Sequence, residues 1–112
     1  MKLVTAIVQP NRLADVQLAL AMHGVNGMTI SEASGYARQH GHSEIYRGEE
    51  FTIDFVLKVK VEVLVADKDA EELVTVIADS ARTGEIGDGK IWVTTVDEVV
   101  RIRTGEQGEI AV

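Results

Sequence analysis

The sequence predicts an α+β fold in which two β-α-β units share one four-stranded sheet, and three observations predict it. Residues 55–66, FVLKVKVEVLVA, alternate in the period-2 pattern of a half-buried strand. Two other segments, 12–24 and about 67–82, place apolar residues at helical spacing. A strand-like run precedes and follows each of them. With 112 residues, 46% of them apolar, the chain suits a single domain, 1–112, built on one modest core.

Taken in order, residues 2–10, KLVTAIVQP, read as a strand rich in β-branched residues and closed by Pro10. Asn11 is the expected N-cap of the first helix. Leu13, Val16 and Leu20 share one helical face, Asp15 suits the first turn, His23 the last, and Gly24 the C′ position. Residues 25–36, VNGMTISEASGY, give a second strand, opened by a turn at Asn26-Gly27. In the strand over 55–66, Val59, Val61, Val63 and Val65 point one way, while Lys58, Lys60, Glu62 and Leu64 point the other. Asp67 or Asp69 is expected to cap the second helix, whose stripe is Leu73, Val74, Ile77, Ala78 and Ala81, and Gly84 to end it. Residues 90–96, KIWVTTV, complete the set. The resulting order is the split, ferredoxin-like βαββαβ sandwich, with both helices on one face of the sheet.

Two segments exceed that minimum. Residues 37–54 join two strands where a short hairpin would do, and loops longer than roughly 12–15 residues are usually functional or disordered. The tail, a C-terminal loop over 98–112, carries Arg101 and Arg103 and then turns at Gly105 and Gly108.

Net charge is −7 with a pI near 4.8, which argues against nucleic acid as the main partner, because phosphate-backbone binding needs a basic face. Without cysteine there is no disulfide framework, thiolate metal site or thiol nucleophile. No apolar run approaches the roughly 20 residues that span a bilayer. The start, MKLVTAIVQP, lacks a long apolar region and a small-residue cleavage site, so a cytoplasmic location is expected.

The stretch RTGEIGDGKIWV, residues 82–93, carries the strongest chemical signal. Gly87 and Gly89 can take positive φ cheaply, so successive amides can converge on an anion, and Lys90 adds a point charge. The glycine spacing is neither a Walker loop nor a dinucleotide fingerprint, since a strand rather than a helix follows. The same letters also fit a plain helix-to-strand connection with an exposed lysine. Arg101 and Arg103, at i and i+2 of an extended segment, would point the same way and offer a fork of donors to phosphate oxygens. They equally fit a solvated pair answering the chain's many carboxylates.

ARTGEIGDGKIWV followed by VRIRTGE resembles the signature of the PII nitrogen-regulatory signal-transduction proteins. GMTISE, RQHGHSEIYRG and DFVLKVKVEVLVAD resemble the same family in the same order, over essentially the whole chain. The resemblance implies a non-enzymatic sensor: a compact homotrimer with nucleotide sites in the clefts between subunits, where ATP and ADP compete. Carried over by position, Gly87, Asp88, Gly89 and Lys90 would cradle phosphates with Arg101, Arg103 and the neighbour's Arg38. Thr29, Glu62 and Leu64 would line the adenine and ribose end. Gln39 would ligate Mg2+, and Lys58, with Gln39 and Gly87, would hold 2-oxoglutarate beside Mg-ATP. Residues 37–54 correspond to the family's T-loop, which docks on a target transporter, of ammonium-channel type or other, or on an enzyme. Ile45, Tyr46 and Phe51, apolar groups on a polar loop, would with Arg47 meet that partner, or else fold back on the sheet.

The chain departs from the family pattern at several places. Phe51 and Glu49 stand where members carry a nucleotidylated tyrosine or a phosphorylated serine, and neither has a hydroxyl to modify. His40 replaces a usual lysine, Leu64 a valine, Leu57 a proline, and Gln9-Pro10-Asn11 a lysine-proline-aromatic run. His40 and His42 form an H-x-H pair with no third ligand beside it in the sequence. Two alternatives stay open at this level: a divergent PII-like regulator of another transport system, such as metal efflux, and a small nucleotide hydrolase with Asp88 as its base.

Overall fold

The computed structural model describes residues 1–37, 44–46, 49–51 and 54–112, with side-chain surroundings over residues 1–35 and 55–112. Strands β1 (Lys2–Val8), β2 (Thr29–Ala37), β5 (Asp54–Val65) and β6 (Ile91–Thr95) form one sheet in the order β2-β5-β1-β6. Every neighbouring pair is antiparallel. Helices α1 (Leu13–Met22) and α2 (Ala70–Ala81) are the two crossovers, so the ferredoxin-like order expected from the alternation is the observed one.

Register decides which face is buried. Val4 lies opposite Val63 and Val93, and Ala6 opposite Val61 and Ile91, so the even positions of β1 and the odd positions of β5 share a face. Val16 and Leu20 of α1 and Leu73, Ile77 and Ala81 of α2 are buried in the same apolar cluster. Each fully buried valine, leucine or isoleucine among them contributes about 1.5–3 kcal/mol. The opposite face carries Leu3, Thr5, Ile7, Lys58, Lys60, Glu62, Leu64 and Trp92, and neither helix lies over it.

Helix ends differ from expectation in four places. Asn11 is no N-cap: it sits inside a 3-10 turn, Pro10–Arg12, because Pro10 presets the helical φ and the chain tightens before α1 begins. Asp69 holds the N-cap position of α2, as expected, but its side chain makes no capping hydrogen bond, because it and Asp67 belong to a second 3-10 turn, Asp67–Asp69. The Asp67 carboxylate instead pairs with the N-terminal ammonium of Met1 at 2.7 Å, which lowers its pKa. Gly84 does not end α2, which stops at Ala81 with Arg82 extended. The turn before β2 falls at His23-Gly24 rather than at Asn26-Gly27. There Gly24, at φ +84°, sends its N–H to Ala21 while Val25 reaches Leu20, and the paired bonds close the helix as predicted.

Beyond the sheet, β3 (Glu44–Tyr46) and β4 (Glu49–Phe51) pair antiparallel, Glu44 opposite Phe51 and Tyr46 opposite Glu49. Residues 44–46 and 49–51 therefore form a separate two-stranded sheet that carries Ile45, Tyr46 and Phe51. Arg38, Gln39, His40, His42 and Arg47 lie outside the described residues.

Candidate functional site

The end of β1, the start of β6 and the Lys58 stretch of β5 meet at the glycine corner, because β1 runs antiparallel to both neighbours. The Ile7 N–H donates to the Lys90 carbonyl at 2.9 Å, one rung beyond the β1–β6 ladder. Gly87 and Gly89 take φ of +102° and +89°, as their spacing predicts. A side chain at Gly89 would overlap the Ile7 carbonyl, so the corner needs glycine there for room as well as for torsion. Lys58 Nζ donates to the Gly87 carbonyl, which brings a second cation to the corner from β5. Lys90 is exposed at the rim of a hollow of about 230 Å³, lined also by Ile7, Arg82, Asp88 and Gly89.

Asp88 occupies a different place from its neighbours. Its carboxylate accepts from the Thr83 hydroxyl, from the Thr83 and Gly84 amides at 2.9 Å each, and from Gln9 Nε2 at 2.9 Å. These donors, the Thr83 hydroxyl first, hold its pKa down at about 2 against an ordinary 3.8. It braces the corner from within. The hollow beside it adds the cations Arg82 and Lys90 to a carboxylate whose oxygens already accept four hydrogen bonds, a balance that fits an anion.

Thr29, Glu62 and Leu64 lie at the other end of the sheet. Thr29 pairs with Glu62 and Leu64 with Leu3, and all three edge a groove of about 1000 Å³ shared with Met28, Val65 and Leu73. From Lys58 to Leu64 along β5 is about 20 Å at strand rise. One chain thus carries two separate hollows, a small one with Arg82 and Lys90 at the glycine corner and a larger one in which Glu62, Asp69, Glu72 and Glu109 stand among apolar side chains.

The arginine pair is corrected. Arg101 does not begin an extended segment: its carbonyl accepts the Gly105 N–H at 2.8 Å, and residues 102–104 turn. Its guanidinium donates to Glu106 at 2.9 Å and to the Ile110 carbonyl at 3.1 Å. Glycine at 105 lets the chain reverse, and an opposite charge five residues on makes the reversal favourable. Arg103 is exposed on that turn, so the two side chains do not form a fork. Among the described residues no three histidines or carboxylates gather to hold a metal ion.

The profile of the nitrogen regulatory protein P-II family matches residues 1–106. This chain belongs to that family. It is 53% identical to the nitrogen regulatory protein P-II of Rhizobium meliloti (strain 1021) over 108 residues, 96% of each chain. Against the P-II protein of Azospirillum brasilense the identity is 51% over the full length of both. Against the nitrogen regulatory protein GlnK of Escherichia coli (strain K12) it is 48% over 99% of each.

As a P-II protein the chain is a signal-transduction regulator and not an enzyme. The chemistry of Asp88 agrees, because a carboxylate held near pKa 2 by its own loop is a poor general base at neutral pH. No helix among the described residues is long and apolar enough to cross a membrane. Sequence reasoning about this P-II corner missed Gln9 and Thr83. Thr83 sits five residues from Asp88 and carried a local hint, whereas Gln9 is 79 residues away and carried none.

Proposed function

We propose that this P-II protein is a cytoplasmic, ligand-gated nitrogen regulator that works as a homotrimer. The observation that carries the reading is the separation of two complementary half-sites at opposite ends of one sheet, which a neighbouring copy would unite. Gly87, Gly89 and Lys90 hold the phosphates of ATP or ADP, with Asp88 keeping their backbone in shape. Arg101 and Arg103, together with Arg38 of the neighbouring copy, add cations. Thr29, Glu62 and Leu64 receive the adenine and ribose. Lys58, with Gln39 and Gly87, takes 2-oxoglutarate, and Gln39 contributes to Mg2+.

Lys58 links ligand to loop. Its ammonium lies on the Gly87 carbonyl, and its strand leads back to the hairpin that holds Ile45, Tyr46 and Phe51. A carboxylate ligand at Lys58 competes for that ammonium and biases the base of the hairpin, so ligand occupancy selects the surface a target reads. The target is a transporter of the ammonium-channel type or a metabolic enzyme. Control runs through ligands alone at positions 49 and 51, since Glu49 and Phe51 offer no hydroxyl.

Calorimetric titration of the intact protein with ADP and ATP, with and without 2-oxoglutarate and Mg2+, tests the reading. Saturable nucleotide binding is expected, and ATP binding should tighten when 2-oxoglutarate and Mg2+ are both present. No nucleotide binding would overturn it; binding without synergy would remove 2-oxoglutarate alone.

A further inference from the structure

Of the four donors on Asp88, three come from Thr83 and Gly84 in the same loop. They close the loop on itself without placing it on the sheet. The fourth comes from Gln9, one residue beyond the end of β1, and since a carboxylate only accepts, Nε2 is the atom that faces it. Gln9 has little freedom of its own. Val8 before it is buried, its backbone is extended at φ −70° and ψ 140°, and Pro10 follows. The two other ties from sheet to corner, Ile7 N–H to Lys90 and Lys58 to Gly87, hold backbone carbonyls and leave the Asp88 side chain unconstrained.

We propose that Gln9 is a positioning residue of the anion cradle, fixing Asp88 inward so that the backbone of residues 87–90 presents amides and Lys90, rather than a carboxylate, to a phosphate. The proposal rests on the nucleotide-binding reading above. Without the Gln9 donor, Asp88 Oδ1 loses its only partner outside the loop among the described residues. A carboxylate free to turn toward the rim repels the ligand it now avoids.

Gln9→Met keeps length and packing but donates nothing. On the intact protein this change is expected to weaken ADP binding about tenfold, the scale of one lost hydrogen bond to a charged acceptor. In an Asp88→Ala background the same change should alter ADP binding less than about twofold, because its effect passes through Asp88. ADP affinity unchanged by Gln9→Met, or an equal loss in both backgrounds, would overturn the proposal. If the parent protein binds no ADP, the nucleotide reading fails by itself. The ligand-free protein then decides for Gln9, as it does if Asp88→Ala fails to fold. In Gln9→Met the backbone amide resonances of Thr83, Gly84, Gly87 and Gly89 move if Gln9 sets the corner, and stay in place if it does not.

Discussion

At the scale of single residues, Asp88 and Gly89 set the shape of the corner by different physics. Asp88 acts through charge-assisted hydrogen bonds, so its contribution titrates. Its folded pKa, about 2, lies below the ordinary 3.8, so the brace is complete above the unfolded value and is lost as pH falls through the folded one. Between about pH 4 and 2 the amide resonances of Thr83 and Gly84 should therefore shift together with the Asp88 carboxyl carbon. A carboxyl midpoint at the ordinary value would show that the four donors do not hold it. Gly89 acts through sterics, and pH does not touch it. Gly89→Ala places a methyl against the Ile7 carbonyl at φ +89°, so chemical denaturation should show a loss of about 3 kcal/mol or more. Glycine's need for positive φ was legible at positions 87 and 89 from spacing alone. The inward turn of Asp88 was not, because its outer partner arrives from the far end of the chain.

At the scale of elements, legibility followed periodicity. The strand over 55–66 and the stripe of α2 declared themselves because burial on one face imposes a period on the letters: Val59, Val61, Val63, Val65, Leu73, Ile77 and Ala81 are in the core, while Val74 is only partly buried, Ala78 stays outside and Ala70 joins without having been expected. Helix starts differ because Asn11, Asp67 and Asp69 have capping side chains but lie in 3-10 turns: Asp69 keeps the N-cap position of α2 without a side-chain bond, and the N-terminal ammonium claims Asp67. The tail differs because i and i+2 arginines share a side only on an extended segment, and Glu106 stands within reach of Arg101 to close a turn instead. That clasp is half exposed, with side chains 40% and 34% accessible, so it contributes little to global stability. Glu106→Gln should leave the unfolding free energy within about 0.5 kcal/mol of the parent. The same variant should speed hydrogen exchange at Gly105 and Gly108, whose amides close the turn onto Arg101 and Val99. Unchanged exchange there would mean the backbone bonds hold the tail without the ion pair.

At the scale of the whole molecule, the sheet has one face packed and one without a helix. Across the latter, Trp92, Thr5, Glu62 and Thr29 stand in one row, joining a large exposed aromatic ring to two residues of the proposed adenine end. Trp92 is 44% exposed and Leu64 40% exposed, so this face has apolar area that the proposed trimer would cover, and Leu64 belongs to the proposed adenine end. On the proposed trimer, assembly and ligand binding are one equilibrium, and anything that breaks the first weakens the second. Light scattering should give three times the 12.2 kDa subunit mass. Trp92→Glu replaces the exposed ring with a carboxylate in the same row as Glu62, across Thr5, and both the mass and the ADP affinity should fall together. Raising the concentration of the variant should restore the two in parallel, because mass action repopulates the complete site. A 12.2 kDa species that binds ADP as tightly as the parent would separate the two properties and show that a single chain holds the whole site.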